Sequence, residues 1–106
     1  MKRDDLRTEL SGQRLTAYIK GEIDSHTAGR IRERIDREIF LHRPRSLVLD
    51  FGEVGFMDSS GLALILGRVQ LMEGLGGAVS ATGLSSESMK LLRLAGVERI
   101  KSLSLK

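Results

Sequence analysis

Apolar and polar residues alternate in two runs near the start of the chain. Leu6, Thr8 and Leu10 share one face of the first run, and Leu15, Ala17 and Ile19 share one face of the second. Ser11-Gly12-Gln13 separates them, and alternating runs joined by a short glycine-containing loop predict a β-hairpin. The period then changes. Gly21-Glu22-Ile23-Asp24-Ser25 ends the second strand, and a helix is expected to begin near Ser25 or Thr27. Ala28, Ile31, Ile35 and Ile39 recur at spacings of three and four, an amphipathic stripe. On the opposite face, Glu33 with Arg37 and Arg34 with Glu38 stand four apart, where opposite charges answer one another.

Pro44 stops that helix, and Ser46-Leu47-Val48-Leu49-Asp50-Phe51 follows as a nearly continuous apolar run. Such a run predicts an interior strand covered on both faces. Strand, helix and strand together predict a right-handed crossover between parallel neighbours. Leu62 to Met72 reads as a second helix, capped by Asp58 and ending around Glu73-Gly74. After the turn at Gly76-Gly77, Ala78 to Thr82 is a short strand. Ser85 caps a third helix, with Leu84 and Met89 as a hydrophobic staple and Gly96 as its stop. Ile100 to Leu105 is a last strand or helix. With no linker, repeat or low-complexity stretch, the pattern predicts one α/β domain over residues 1–106.

Composition narrows the function more than the fold. The chain has 106 residues, 29% charged and 41% hydrophobic, which suits a single folded core. No cysteine is present, so neither a disulfide framework nor a thiolate zinc site is available. No apolar stretch is long enough to span a bilayer, and no membrane partner is expected. Met1-Lys2-Arg3-Asp4-Asp5 lacks the apolar core of a signal peptide, so a cytoplasmic protein is expected. The net charge is +3. Arg30, Arg32, Arg34, Arg37, Arg43 and Arg45 give the first helix and its following loop a cationic cast. With acids interleaved and few aromatics, these fit a basic rim facing an acidic protein better than a nucleic-acid surface.

Candidate chemistry gathers at the ends of the predicted strands. Asp24, Asp50, Glu53 and Asp58 stand there, where an acid/base pair or a magnesium site is conceivable, although solvated loop acids and a cap are commoner. A phosphoacceptor at Asp50 would need partners that the chain lacks in context. Asp50-Phe51-Gly52 resembles a kinase magnesium triplet, but nothing else of a kinase fits. Neither phosphate-loop pattern occurs, and no cofactor is expected. His26 and His42 lack metal-ligand spacing, and Ser59 has no general base to make it a nucleophile. What remains is Asp58-Ser59-Ser60-Gly61: a favoured N-cap, two hydroxyls in the first helical turn, and a glycine that costs up to about 1 kcal/mol in a helix. Serine is common there for its backbone hydrogen bonds alone. A phosphoryl group on either serine would lie at the positive end of the helix dipole. Gly61 suggests that something approaches this turn closely.

Gly21-Glu22-Ile23-Asp24-Ser25-His26-Thr27-Ala28, Leu47-Val48-Leu49-Asp50-Phe51, and Phe56-Met57-Asp58-Ser59-Ser60-Gly61-Leu62 with Ile65-Leu66-Gly67-Arg68 resemble the anti-sigma-factor antagonists of the STAS domain family. The resemblance runs from about Leu6 to Ile100. The Asp-Ser-Ser-Gly form lies nearer the sporulation antagonists than the general stress-response ones, which usually carry Asp-Ser-Thr-Gly. It implies a small mixed sheet of about four to five strands flanked by helices, and a regulator rather than an enzyme. It also implies that Ser59 is phosphorylated by the anti-sigma factor, itself a serine kinase, and dephosphorylated by a separate serine phosphatase. Asp24 and Asp58 would line the partner-facing surface with Ser60 and Gly61, and Glu22, Ser25 and Thr27 would add contacts. The tail after Leu103 is short, so the family's last helix is expected to be truncated or absent here.

Overall fold

The computed structural model describes residues 5–106, so Met1 to Asp4, part of the start that lacks a signal-peptide core, lie outside the described residues. Its elements are β1 (Leu6–Ser11), β2 (Arg14–Ile23), α1 (Ser25–His42), β3 (Ser46–Met57), α2 (Ser59–Gly74), β4 (Ala78–Thr82), α3 (Ser86–Leu94), a 3₁₀ turn at Val97–Arg99, and β5 (Leu103–Leu105). The five strands form one sheet in sequence order. β1 pairs antiparallel with β2, and the other three pairings are parallel. The mixed sheet flanked by helices is therefore present, and its last element is a strand rather than a helix.

One face of this sheet carries the core. Leu15, Ala17 and Ile19 of β2, Leu47, Leu49 and Phe51 of β3, and Val79 and Ala81 of β4 are buried beneath the helices. The residues between them, Thr16, Tyr18, Val48, Asp50, Ser80 and Thr82, are only half-buried. The expectation that β3 is covered on both faces is thus corrected. Its apolar look comes from Val48, which stands on the open face as a β-branched residue suited to a pleated surface. On that face Tyr18 donates to Glu9 at 3.2 Å and the Arg7 guanidinium stacks 4.1 Å from its ring centroid. The same Glu9 carboxylate, accepting from the phenol, raises the pKa of Tyr18.

β3 also runs farther than its sequence suggests. Gly52, Glu53 and Gly55 look like loop residues, and Asp50 and Glu53 were expected after the strand. Instead Lys20 to Ile23 of β2 pair with Glu53 to Met57, and the backbone ladder carries the strand across both glycines. Two register shifts lie in this extension, and Gly21, at φ 95°, supplies the left-handed residue there.

α1 seats Ile31, Ile35 and Ile39 in the core as its stripe predicts. Of the expected helix-face ion pairs, neither forms among the described residues; Glu38 instead meets His42 at 3.2 Å. α2 is apolar nearly all round and buries Leu64, Ile65, Val69 and Met72. α3 is capped by Ser85, whose hydroxyl accepts from the Ser88 N–H at 3.0 Å, and Gly96 follows its end at φ 75°.

The two long helices meet at a pair of charges that the sequence does not advertise. Arg68 of α2 is only 6% exposed, and its Nε lies 2.9 Å from Oδ1 of Asp36 on α1. The N–H does not aim along that line, so neither atom gains a directed hydrogen bond. Burial lowers the Arg68 pKa and raises that of Asp36, in each case against the pull of the opposite charge. Such a pair adds little net stability, but breaking it strands a charge. Arg68→Met should cost about 2 kcal/mol, less than for a deeper pair because Asp36 is partly exposed. Adding Asp36→Leu should recover most of that loss. Urea midpoints of the two variants check this; an unchanged midpoint in the single variant would show the pair to be idle.

Candidate functional site

The site is built where β2 and β3 end together. Ile23 and Met57 are register partners across the parallel ladder, so the next residues, Asp24 and Asp58, stand side by side. Each turns a strand into a helix, and each is the N-cap of that helix. The Asp58 N–H donates to the Ile23 carbonyl at 3.2 Å, which stitches the two strand ends together. Two helix starts are thereby held at one edge of the molecule.

At the first, Asp24 forms a capping box with Thr27. Its Oδ1 accepts from the His26 N–H at 2.9 Å and the Thr27 N–H at 3.0 Å, and its own N–H donates to Thr27 Oγ1 at 3.0 Å. The Thr27 hydroxyl also donates to the Glu22 carbonyl at 2.8 Å. The Thr27 and His26 backbone donors hold the Asp24 pKa below its ordinary value. At the second, Asp58 Oδ1 accepts from the Ser60 N–H at 2.7 Å, and Gly61 N–H donates to the Asp58 carbonyl at 2.9 Å.

The two serines of this turn have different surroundings. Ser59, the first residue of α2, is exposed. Ser60 is half-buried and faces a groove of about 410 Å³ along the seam of α1 and α2, lined also by Ser25, Ala28, Gly29, Arg32, Leu64 and Arg68. Glu22 and Ser25 are exposed beside it; Asp24, Thr27 and Asp58 are half-buried. On the other flank, Phe56 is 53% exposed at the rim of a second cavity of about 290 Å³, shared with Leu84, Ser85 and Leu91. Sequence reasoning did not single out Phe56, an exposed aromatic two residues before Asp58, although an aromatic outside the core-facing alternation of β3 was a signal for it.

Gly61 has a different reason from the one expected. It is buried, and a Cβ built on it would lie 2.1 Å from Cγ and 2.4 Å from Sδ of Met57. The close approach is made by the chain's own methionine, folded back from the end of β3 onto the first turn of α2. Asp50 and Glu53 do not join Asp24 and Asp58: both lie in the body of β3, where Asp50 Oδ1 accepts from the Gly52 N–H at 2.8 Å. No group of three metal-ligating side chains occurs among the described residues. Gly61→Ala should displace Met57 and destabilise the protein by about 1–2 kcal/mol despite alanine's better helix propensity. Met57→Ala in the same chain should remove that penalty. Thermal unfolding of both variants reads the effect, and a Gly61→Ala protein more stable than wild type would refute the packing account.

The STAS domain model matches residues 6–105. The anti-sigma F factor antagonist of Paenibacillus polymyxa is 33% identical over 98 residues, covering 91% of this chain and 84% of that protein. Among solved structures, the unphosphorylated form of the anti-sigma factor antagonist SpoIIAA superposes with a TM-score of 0.80 at 25% identity, over 95% of this chain and 87% of that one. The phosphorylated form of Bacillus SpoIIAA, a cell fate determinant, superposes at 0.75 and 25% identity, over 95% and 90%. This chain belongs to the STAS domain family, in its anti-sigma factor antagonist branch.

Proposed function

We propose that the chain is a phosphorylation-controlled antagonist of an anti-sigma factor that is itself a serine kinase, with Ser59 as the acceptor. The observation that carries this reading is the contrast within one helical turn: the Ser59 residue is exposed, while Ser60 is half-buried in the α1–α2 seam. The unmodified protein docks its two capped helix starts on the kinase and releases the sigma factor. The kinase then transfers the γ-phosphoryl group of ATP to Ser59 Oγ; the new P–O bond forms as the bond to ADP breaks, and the serine proton is lost. A separate phosphatase hydrolyses the ester and resets the switch. Likeness to the Paenibacillus antagonist supports an F-type sigma factor as the one released.

The physics of the switch follows from the site. A phosphoserine adds nearly two negative charges beside Asp58 and close to Asp24. The N-terminus of α2 accommodates them, because the positive end of the helix dipole favours anions. The fold is therefore retained, in keeping with its match to both forms of SpoIIAA. A partner packed over this edge instead meets added bulk and a charge it must desolvate. A loss of about 2.7 kcal/mol lowers affinity a hundredfold. In this reading Glu22, Ser25 and Ser60 touch the kinase, which the exposure of Glu22 and Ser25 and the groove beside Ser60 support. Asp24, Thr27, Asp58 and Gly61 act chiefly by holding the turns in shape.

Incubation with the cognate anti-sigma kinase and ATP should add one phosphate, which mass spectrometry should place on Ser59. Ser59→Ala should abolish it and Ser60→Ala should not. Labelling of Ser59→Ala at the wild-type rate would sink the assignment.

A further inference from the structure

The end of α1 farthest from Ser59 presents a surface that the switch does not use. At 100° per residue, Phe40 projects about 140° from the centre of the buried Ile31-Ile35-Ile39 stripe, and Leu41 about 120° on the other side. They bracket Arg37, which points almost directly away from the core. Phe40 is 54% exposed and Leu41 68%, two large apolar side chains held in water on the solvent side of a helix whose core face is already filled. Adjacent exposed apolar groups of this kind mark contact surfaces more often than solitary ones do.

Charge and backbone point the same way. Arg43 ends the helix in the left-handed region, at φ 48° and ψ 54°, and is the sole non-glycine residue there among the described residues. Glycine would adopt that conformation at lower cost, and such strain persists mainly where a side chain has a use. The Arg43 guanidinium lies 6.0 Å from the centroid of the Phe40 ring. Arg45 follows on a fixed backbone, its N–H donating to the Gln13 carbonyl at 2.8 Å. None of Arg37, Arg43 and Arg45 has a carboxylate partner among the described residues, and the nearby Glu38 is engaged by His42. All three cations are arginines, whose forked guanidinium suits carboxylates, and arginine with phenylalanine is a composition enriched at protein interfaces.

We propose that this end of α1 is a second docking surface, for an acidic segment of a partner protein that also carries apolar side chains. The exposed pair Phe40 and Leu41 takes the apolar residues, and Arg37, Arg43 and Arg45 take the carboxylates. α1 is about 27 Å long, so this surface and the Ser59 edge lie at opposite ends of the helix and can be occupied together.

The probe is a fluorescein-labelled synthetic peptide of alternating glutamate, leucine and phenylalanine, followed by anisotropy. It should bind saturably and more weakly as salt rises. Phe40→Ser with Leu41→Ser, and separately Arg43→Gly with Arg45→Gln, should each weaken binding about tenfold or more. These positions are exposed, and glycine suits the backbone at 43, so both variants should keep the wild-type circular dichroism spectrum. Both should also be phosphorylated at Ser59 at the wild-type rate. Absence of saturable binding, equal binding by the variants, or equal binding of a lysine-for-glutamate peptide would overturn the proposal. So would variant-sensitive binding of anionic lipid vesicles or duplex DNA in place of the peptide, which would assign the surface to lipid or nucleic acid. Slowed Ser59 phosphorylation in the variants would return the surface to the kinase interface.

Discussion

The parallel pairing of β2 with β3, carried through to Ile23 opposite Met57, is the constraint on which the rest of the site depends. Without that extension each strand would end in an independent loop, and the caps of α1 and α2 would be free to drift apart. With it, two aspartates emerge side by side, and each spends its carboxylate on the first turn of its own helix. The exposed edge is therefore rigid for backbone reasons before any side chain is considered. A hydroxyl displayed there has a defined position, so a phosphoryl group on it changes the surface without having to change the fold.

The same arrangement explains how the two helices tolerate one another. Their seam is lined near its mouth by Ser25, Ala28, Gly29 and Ser60, residues small enough to leave a groove. Farther along, Arg68 reaches across to Asp36. This pair is expensive to bury and gains little from its geometry, so its contribution is better understood as alignment than as stability. Met57 folded over Gly61 does by packing what the Asp58–Ile23 hydrogen bond does by polarity, fixing the end of β3 to the start of α2.

Periodicity was enough to read the hairpin, the Ile31-Ile35-Ile39 stripe, the Asp58 and Ser85 caps and the order of elements, because each depends on neighbours in sequence. What could not be read depends on distant ones. Glycines at 52 and 55 signal a loop locally, and only pairing with Lys20 to Ile23 makes the segment a strand. Val48 made β3 look doubly buried, although the sheet has an open face. Asp36 and Arg68 carry no sign of their meeting across two helices. Gly61 stands out in the sequence for its cost in a helix, but the side chain that crowds it, Met57, meets it only in three dimensions. Ser59 could be singled out over Ser60 by resemblance; its greater exposure supplies a physical ground for the same choice.

In the proposed switch, charge at Ser59 acts on binding rather than on folding. The most direct measurement is calorimetric titration of the cognate anti-sigma kinase with unmodified and Ser59-phosphorylated protein, alongside the circular dichroism of each. Affinity should be lower by about a hundredfold or more in the phosphorylated form, a difference of at least about 2.7 kcal/mol, with superimposable spectra. Equal affinities, or weaker binding accompanied by loss of the folded spectrum, would contradict it.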